Sequence, residues 1–537
     1  LNWDGEYFFH PDERNIADAV YHLNYKDCFQ SFITYSDTKQ LSTSECNLNP
    51  NFFAYGTLPI YITKFFSNND FDRTLIVLRV QSAFLSTVNI LLVFIITRKL
   101  FAKDSNKNKL ALITTFLMVF NPGMIQFAHF GTFETYLTFE YLLIALFAIR
   151  YIHKLVFRDL VILCIFVGIS ISTKIISLVM LSIPAICYLY SMLKHNKKLS
   201  AIFDHQAITL LLITFIAFFV SSPFILLDLP KFIGSMNYES PVANGTLPVF
   251  YTQQFTNTIP IIYQLTKIFP YILGVELTLF SIFGIALLGF SIFKKFLQKK
   301  LAKQDIYWLI IISIVITYAG LHFTMYVKWT RYMIPLIPFL ILISTYLITK
   351  LFSQRPIVVW ICCLWIFGVY AFNGLNFSSR YFVEDPRFAA RKWIEANIPQ
   401  DALVLTEPYD LSATAINPVL NGRISDFDMY SLDNESEQFQ KRFEQQLASS
   451  DYIVILSNRI YSTRFRLPDK FPYTYNFYNK LNSGDLGFRQ IVNFSRKHGT
   501  SYNNLDLREL SQEPLPDETL DVFDNPILIV YQRNAKT

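Results

Sequence analysis

Two adjacent carboxylates open the chain, Asp12 and Glu13, in the segment His10-Pro11-Asp12-Glu13-Arg14. A carboxylate held at a fixed height beside a bilayer can take a proton from a hydroxyl. An ionised one in that position costs free energy unless it has a partner or a task. A plainer reading is that Pro11 opens a helix and the two acids favour its positive end. The two readings are compatible. A second set is cationic: Lys174, and Lys328 and Arg331 in Tyr326-Val-Lys-Trp-Thr-Arg-Tyr332. Such side chains either snorkel to lipid headgroups or clamp a phosphate carried by a lipid, for which the planar fork of Arg is suited. Glu134, in His129-Phe-Gly-Thr-Phe-Glu134, is either a helix-start acid or a partner for a cation or metal. His10 and His129 could join it as ligands, although no spacing rule fixes a site, and His322 reads as structural.

These residues need elements to hold them. Ten apolar segments are long enough, or nearly so, to cross about 30 Å of hydrocarbon: 74–98, 108–127, 132–150, 159–173, 175–193, 206–226, 270–293, 306–325, 332–350 and 356–373. Every second connecting loop is basic, carrying Arg98, Lys99, Lys103 and Lys107, then His153, Lys154 and Arg158, then Lys194, Lys197 and Lys198. Lys294, Lys295, Lys299, Lys300 and Lys303 follow, and the set ends with Lys350 and Arg355. Cytosolic loops are the basic ones, so residues 1–73, the loop 227–269, the turns near 128–131, 174 and 326–331, and everything after 374 are expected outside. An external start feeding an inward span calls for one earlier helix, giving about eleven in all. Ile16, Ala19, Val20 and Leu23 have helical spacing and are expected to lie along the membrane surface. The prolines of 227–269 (Pro241, Pro248, Pro260) mark that loop as non-helical, either a lid or a packed loop.

Composition agrees: of 537 residues 52% are hydrophobic and 16% charged, against about a quarter charged in soluble domains. The net charge of +6 comes without a basic stripe interleaved with aromatics, which gives nucleic-acid binding no support. Cys28 and Cys46 share one polar loop and could pair if it faces an oxidising compartment; Cys164, Cys187, Cys362 and Cys363 lie in apolar runs. After 374 the texture changes. A helix is expected after Pro386, strands at 402–406, 451–456 and 527–531, and a helix over 435–449, which together predict a small α/β domain at 374–537. The expected organisation is an external acidic segment with an interfacial helix (1–73), a transmembrane helical bundle (74–373) and this external domain.

With those pieces in order, the chain resembles the GT-C superfamily, polytopic glycosyltransferases using lipid-linked sugars. The residues carrying the likeness are His10-Pro-Asp-Glu-Arg14, Asn49-Pro-Asn-Phe-Phe-Ala-Tyr-Gly-Thr-Leu-Pro59, Gly131-Thr-Phe-Glu-Thr-Tyr136, Ser172-Thr-Lys174 and Lys328-Trp-Thr-Arg-Tyr-Met-Ile-Pro335. It looks most like the prokaryotic branch of family 39, near protein O-mannosyltransferases and the aminoarabinose transferase of lipid A. The likeness covers residues 1 to about 373 and extends loosely to Ser450-Asp-Tyr-Ile-Val-Ile-Leu-Ser-Asn-Arg459.

The resemblance implies a mostly α GT-C bundle and an inverting transfer on the extracytoplasmic face of a prokaryotic plasma membrane. The donor would be a polyprenyl- or dolichyl-phosphate sugar, such as dolichyl-phosphate-mannose, and the acceptor a protein, lipid or glycan of the cell envelope. Carried over by position, Asp12 is the base, Glu13 orients it or the acceptor, and Lys174, Lys328 and Arg331 hold the phosphate. Some relatives use a divalent metal near these acids and others do not. The competing classes are a lipid-linked glycan ligase or polymerase, which would centre on basic residues, and a polytopic transporter or flippase, for which inverted repeats are the sign; the sequence shows none.

Overall fold

The structure, a computed structural model, describes residues 3–5, 7–25, 47–67, 70–196, 204–352, 356–407, 424–497, 499–512 and 517–534. Cys28, Cys46, Lys197, Lys198 and Arg355 lie outside the described residues. The chain forms two compact units. One comprises Asp12–Leu247 and Thr258–Ser378; the other Asn2–Pro11, Pro248–Asn257 and Ser379–Thr537.

The first unit is helical. Its elements are α1 (Pro11–Tyr21), α2 (Leu58–Ser67), α3 (Phe71–Leu100), α4 (Lys107–Val119), α5 (Pro122–His129), α6 (Glu134–Lys154), α7 (Phe157–Thr173), α8 (Ser182–Lys194) and α9 (His205–Ser221). After these come α10 (Leu229–Asn244), α11 (Val275–Leu297), α12 (Lys303–His322), α13 (Ile337–Phe352) and α14 (Pro356–Ser379). All ten expected apolar segments fall on helices. Six described helices are long and apolar enough to cross a membrane, or seven if the bent pair α4 and α5 counts as one. Phe157–Thr173 and His205–Ser221 have 17 residues each, about 26 Å of helix at 1.5 Å per residue.

Local chemistry sets the boundaries. Asp70 caps α3, its side chain accepting from the Arg73 amide at 3.0 Å, and Arg98 and Lys99 meet the negative end of that helix. The expected single span 108–127 is in fact bent by 59°. Pro122 cannot continue the ladder, and Asn121 starts a new helix by accepting from the Met124 amide at 2.9 Å. The loop 227–269, expected to be non-helical, contains α10. Pro230 falls in its first turn, where proline is tolerated, Pro241 is accommodated inside, and Gly245 in the left-handed conformation ends it. Nor does α1 lie on a membrane surface: Ile16, Ala17, Ala19 and Val20 are buried in protein.

The second unit is built on a six-stranded mixed sheet in the order β2-β1-β3-β6-β4-β5. Its strands are β1 (Val404–Thr406), β2 (Ile424–Asp426), β3 (Tyr452–Ile455), β4 (Phe488–Ser495), β5 (Gly499–Ser501) and β6 (Leu528–Arg533). β1 runs parallel to β2 and β3, and the remaining pairs are antiparallel. β1 and β3 are buried at every residue, as parallel strands covered on both faces are. Helix α15 (Pro386–Asn397) starts after Asp385, whose buried carboxylate meets Arg387 at 2.7 Å and Arg496 at 2.9 Å. The Arg387 guanidinium lies 3.4 Å from the centre of the Phe9 ring, fastening the N-terminal segment to this unit.

Candidate active site

Four of the short motifs and the acid pair converge in the first unit. Glu13, fully buried, meets Arg79 of α3 through Nη2 at 2.5 Å and through Nε at 3.2 and 3.1 Å. Its Oε1 also accepts the Gly131 amide at 2.5 Å. A methyl group on Gly131 would come within 2.7 Å of Leu78 Cβ and 3.4 Å of Glu13 Oε1, so only glycine lets that turn close on α1 and α3. The first turn of α1 is thereby pinned to two other elements, and with it the neighbouring Asp12.

Asp12 pairs with Arg331, in the first turn of the span Thr330–Leu351; each side chain is about one-fifth exposed (19% and 20%). Arg331 Nη1 also donates to the Tyr55 hydroxyl at 3.2 Å. Burial holds the Tyr55 phenol well above its usual range, against the pull of Arg331, so it stays protonated. Tyr55 owes its place to Gly56: the Gly56 amide donates to the Thr173 carbonyl at 3.0 Å, and a Cβ there would sit 1.8 Å from the Ser172 carbonyl oxygen.

That contact brings Lys174 alongside. Lys174 is the extended residue between α7 and the 3-10 turn Ile175–Leu181. Its Nζ lies 4.5 Å from the centre of the Tyr332 ring and 5.9 Å from that of Tyr55. Burial pushes its ammonium down to about 8, opposed by Glu134. Glu134 is buried at the first position of α6, its Oε2 without a hydrogen bond. Glu239 on α10 also faces the cluster: burial raises its carboxyl above the usual carboxylate value, against Arg331 and Lys174.

The expected residues therefore divide. Asp12, Glu134, Lys174 and Arg331 share one electrostatic neighbourhood. Glu13 is engaged by Arg79 and Gly131. Lys328 is fixed by its own loop, donating to the Tyr326 carbonyl at 2.5 Å, and burial lowers its ammonium to about 8. His129 is held by the Ile125 carbonyl at 2.8 Å. His10 belongs to the second unit, its ring 4.6 Å from that of Phe523. Among the described residues no group of three or more His, Cys, Asp or Glu side chains is placed to hold a metal ion; His10, His129 and Glu134 form no such set.

Sequence reasoning missed Arg79, Tyr55, Glu239 and Tyr332. Arg79 carried a signal: a cation inside the apolar run 74–98 has to find a partner. Tyr55 and Tyr332 lay within recognised motifs, and Glu239 gave no sign.

Long apolar helices carrying a cluster of carboxylates, cations and tyrosines define a polytopic membrane protein with a built polar site. Residues 59–221 match the family model described as dolichyl-phosphate-mannose-protein mannosyltransferase, and over that stretch the family-39 resemblance is borne out. No curated protein matches the chain. Among solved structures it is similar to an oligosaccharyltransferase of Archaeoglobus fulgidus, solved with zinc and sulfate, at 14% identity and a TM-score of 0.40. That alignment covers 84% of this chain and 64% of the archaeal one, so the chain spans somewhat under two thirds of its length. ArnT from Cupriavidus metallidurans is similar in its apo state (14% identity, TM-score 0.44, 87% and 91% covered). The same protein bound to undecaprenyl phosphate gives 14% identity, a TM-score of 0.42, and 87% and 92% covered.

Proposed function

We propose that this chain is a membrane glycosyltransferase moving a sugar from a polyprenyl-phosphate donor to an acceptor hydroxyl, with inversion, on the extracytoplasmic side. The observation that carries the reading is the Asp12–Arg331 pair, joined by Tyr55 and neighboured by Lys174. The family description over 59–221, which names a sugar on a lipid phosphate, supports the donor class, and the alternation of basic loops supports the side.

In this mechanism the donor phosphate competes with Asp12 for Arg331. As the guanidinium turns to the phosphate, a carboxylate oxygen of Asp12 is released to the acceptor. The acceptor oxygen forms a bond to the anomeric carbon from the face opposite the phosphate, and its proton passes to Asp12. The bond from the anomeric carbon to the phosphate oxygen breaks, and polyprenyl phosphate leaves with the electron pair, its growing charge met by Arg331 and Lys174. Tyr55 orients the guanidinium, and Glu13, through Arg79 and Gly131, positions the helix that carries Asp12.

The test is to incubate membranes containing the chain with radiolabelled polyprenyl-phosphate sugars. Native membranes are expected to label an acceptor, and Arg331→Ala membranes to need at least about tenfold more donor, for loss of a charge-assisted contact. Equal donor dependence in the two would remove the clamp.

A further inference from the structure

The basic end of the bundle holds a cavity, separate in sequence from the cluster above. It measures about 650 Å³ and is lined by the C-terminal turn of α3, the following turn, and the ends of α4, α6 and α12. Arg98, Lys99, Lys103, Lys107 and Lys303 line it together with His153, and none of the lining side chains is acidic. The neighbouring carboxylates are engaged elsewhere: Asp159 with Arg150 at 3.1 Å, Asp305 with Lys295 at 2.5 Å, and Asp104 with the Asn106 amide at 2.8 Å. Arg150 and Lys154 add like charge around Lys99, opposed in part by Asp159. The walls are built: Lys303 Nζ donates to the His153 carbonyl at 2.7 Å, and the His153 ring meets the Tyr307 hydroxyl at 2.9 Å. Five cations around a concavity without a lining acid repel one another unless an anion enters.

The other lining residues identify the anion. Ile95 and Ile149 form an apolar flank. Ile95 continues into an exposed stripe on α3 through Leu91 to Phe84, 41%, 60% and 66% exposed, at spacings that keep to one helix face. This stripe runs along a helix long and apolar enough to span the bilayer, so an acyl chain can lie on it. A soluble phosphate compound would use the cations and leave the stripe unused. Basic pockets between spanning helices are where anionic headgroups bind. We propose that this cavity is a binding site for an anionic phospholipid of the leaflet that the basic loops face. Lys99, Lys103, Lys107 and Lys303 hold the headgroup phosphate, and an acyl chain lies along Ile95, Leu91 and Phe84.

The test uses the full chain purified in detergent and measures lipid binding by native mass spectrometry and thermal shift. The ligands are phosphatidylglycerol, phosphatidylcholine and inorganic pyrophosphate. Phosphatidylglycerol alone is expected to bind saturably and raise the melting temperature. Lys103→Gln with Lys107→Gln is expected to weaken it about 25-fold, about fivefold per charge, equivalent to about 1 kcal/mol each. Lys299→Gln with Lys300→Gln, exposed cations outside the cavity, is expected to leave it unchanged. If the double variant fails to fold, Lys107→Gln alone supplies the same test at about fivefold. An equal shift with phosphatidylcholine, a full effect from pyrophosphate, or equal weakening in the Lys299/Lys300 variant would each overturn the proposal.

Discussion

Glu13→Ala would take from the buried Arg79 guanidinium the carboxylate that meets it at 2.5 Å, and from the Gly131 amide its acceptor. Breaking a fully buried pair from one side costs about 3–5 kcal/mol, because the remaining charge is stranded away from water. The lost amide bond adds about 1 kcal/mol. In a unit of this size a loss of about 5 kcal/mol lowers the unfolding midpoint by about 7 °C. Transfer should fall with it, since Asp12 rides on the same helical turn. The informative partner is the double variant Glu13→Leu with Arg79→Met, which removes both charges at similar volume and should recover most of the stability. If Glu13 acts only by positioning, the double variant also regains part of the transfer activity; a residue touching the acceptor would leave it inactive. Melting curves in detergent beside transfer assays on the three proteins give the answer. A Glu13→Ala protein that melts within about 1 °C of the native one would refute the reasoning, because it would mean that stranding the buried Arg79 charge costs nothing.

Two further outcomes follow from the geometry. Gly56→Ala places a Cβ 1.8 Å from the Ser172 carbonyl oxygen, so the Tyr55 segment must move away from Lys174; transfer is expected to drop at least about tenfold, as misplacement of a site by about 1 Å does, and unchanged transfer would show that this contact does not set the site. Lys174, lowered by burial from 10.5 to about 8, binds fewer protons when folded than unfolded between those values. Its contribution to stability therefore rises with pH from about 8 to 10.5, while its charge, and with it donor affinity, is lost as pH rises through about 8. A kcat/KM profile for donor, which reports the free enzyme, should bend near pH 8, and Lys174→Arg should carry the plateau to higher pH.

Much of the helical architecture was legible because it rests on composition: apolar runs long enough for a bilayer, separated by basic loops. The bend between α4 and α5 was legible in principle, since Asn121-Pro122 is a cap followed by proline, but a continuous apolar run masked it. In the site, Glu134, Lys174 and Arg331 could be picked out because each is a charge at the edge of an apolar segment, and Asp12 because it belongs to an acid pair directly after Pro11. What no pattern supplied was pairing. That Glu13 meets Arg79, 66 residues away, and that Asp12 meets Arg331, 319 residues away, are facts of folding. Two adjacent acids with the same local sequence thus have different surroundings, one buried in a structural pair and the other partly open. In the second unit β4 escaped notice because Phe488–Ser495 carries a register shift between Gln490 and Val492, which breaks its alternation.

The most direct test of the proposed role of Asp12 compares donor binding and sugar transfer in Asp12→Asn. The amide keeps the shape, cannot accept the proton, and releases Arg331 from its ion pair. The account predicts donor affinity equal to or tighter than native, with transfer lowered by about 10²-fold or more. Near-native transfer by Asp12→Asn would contradict it.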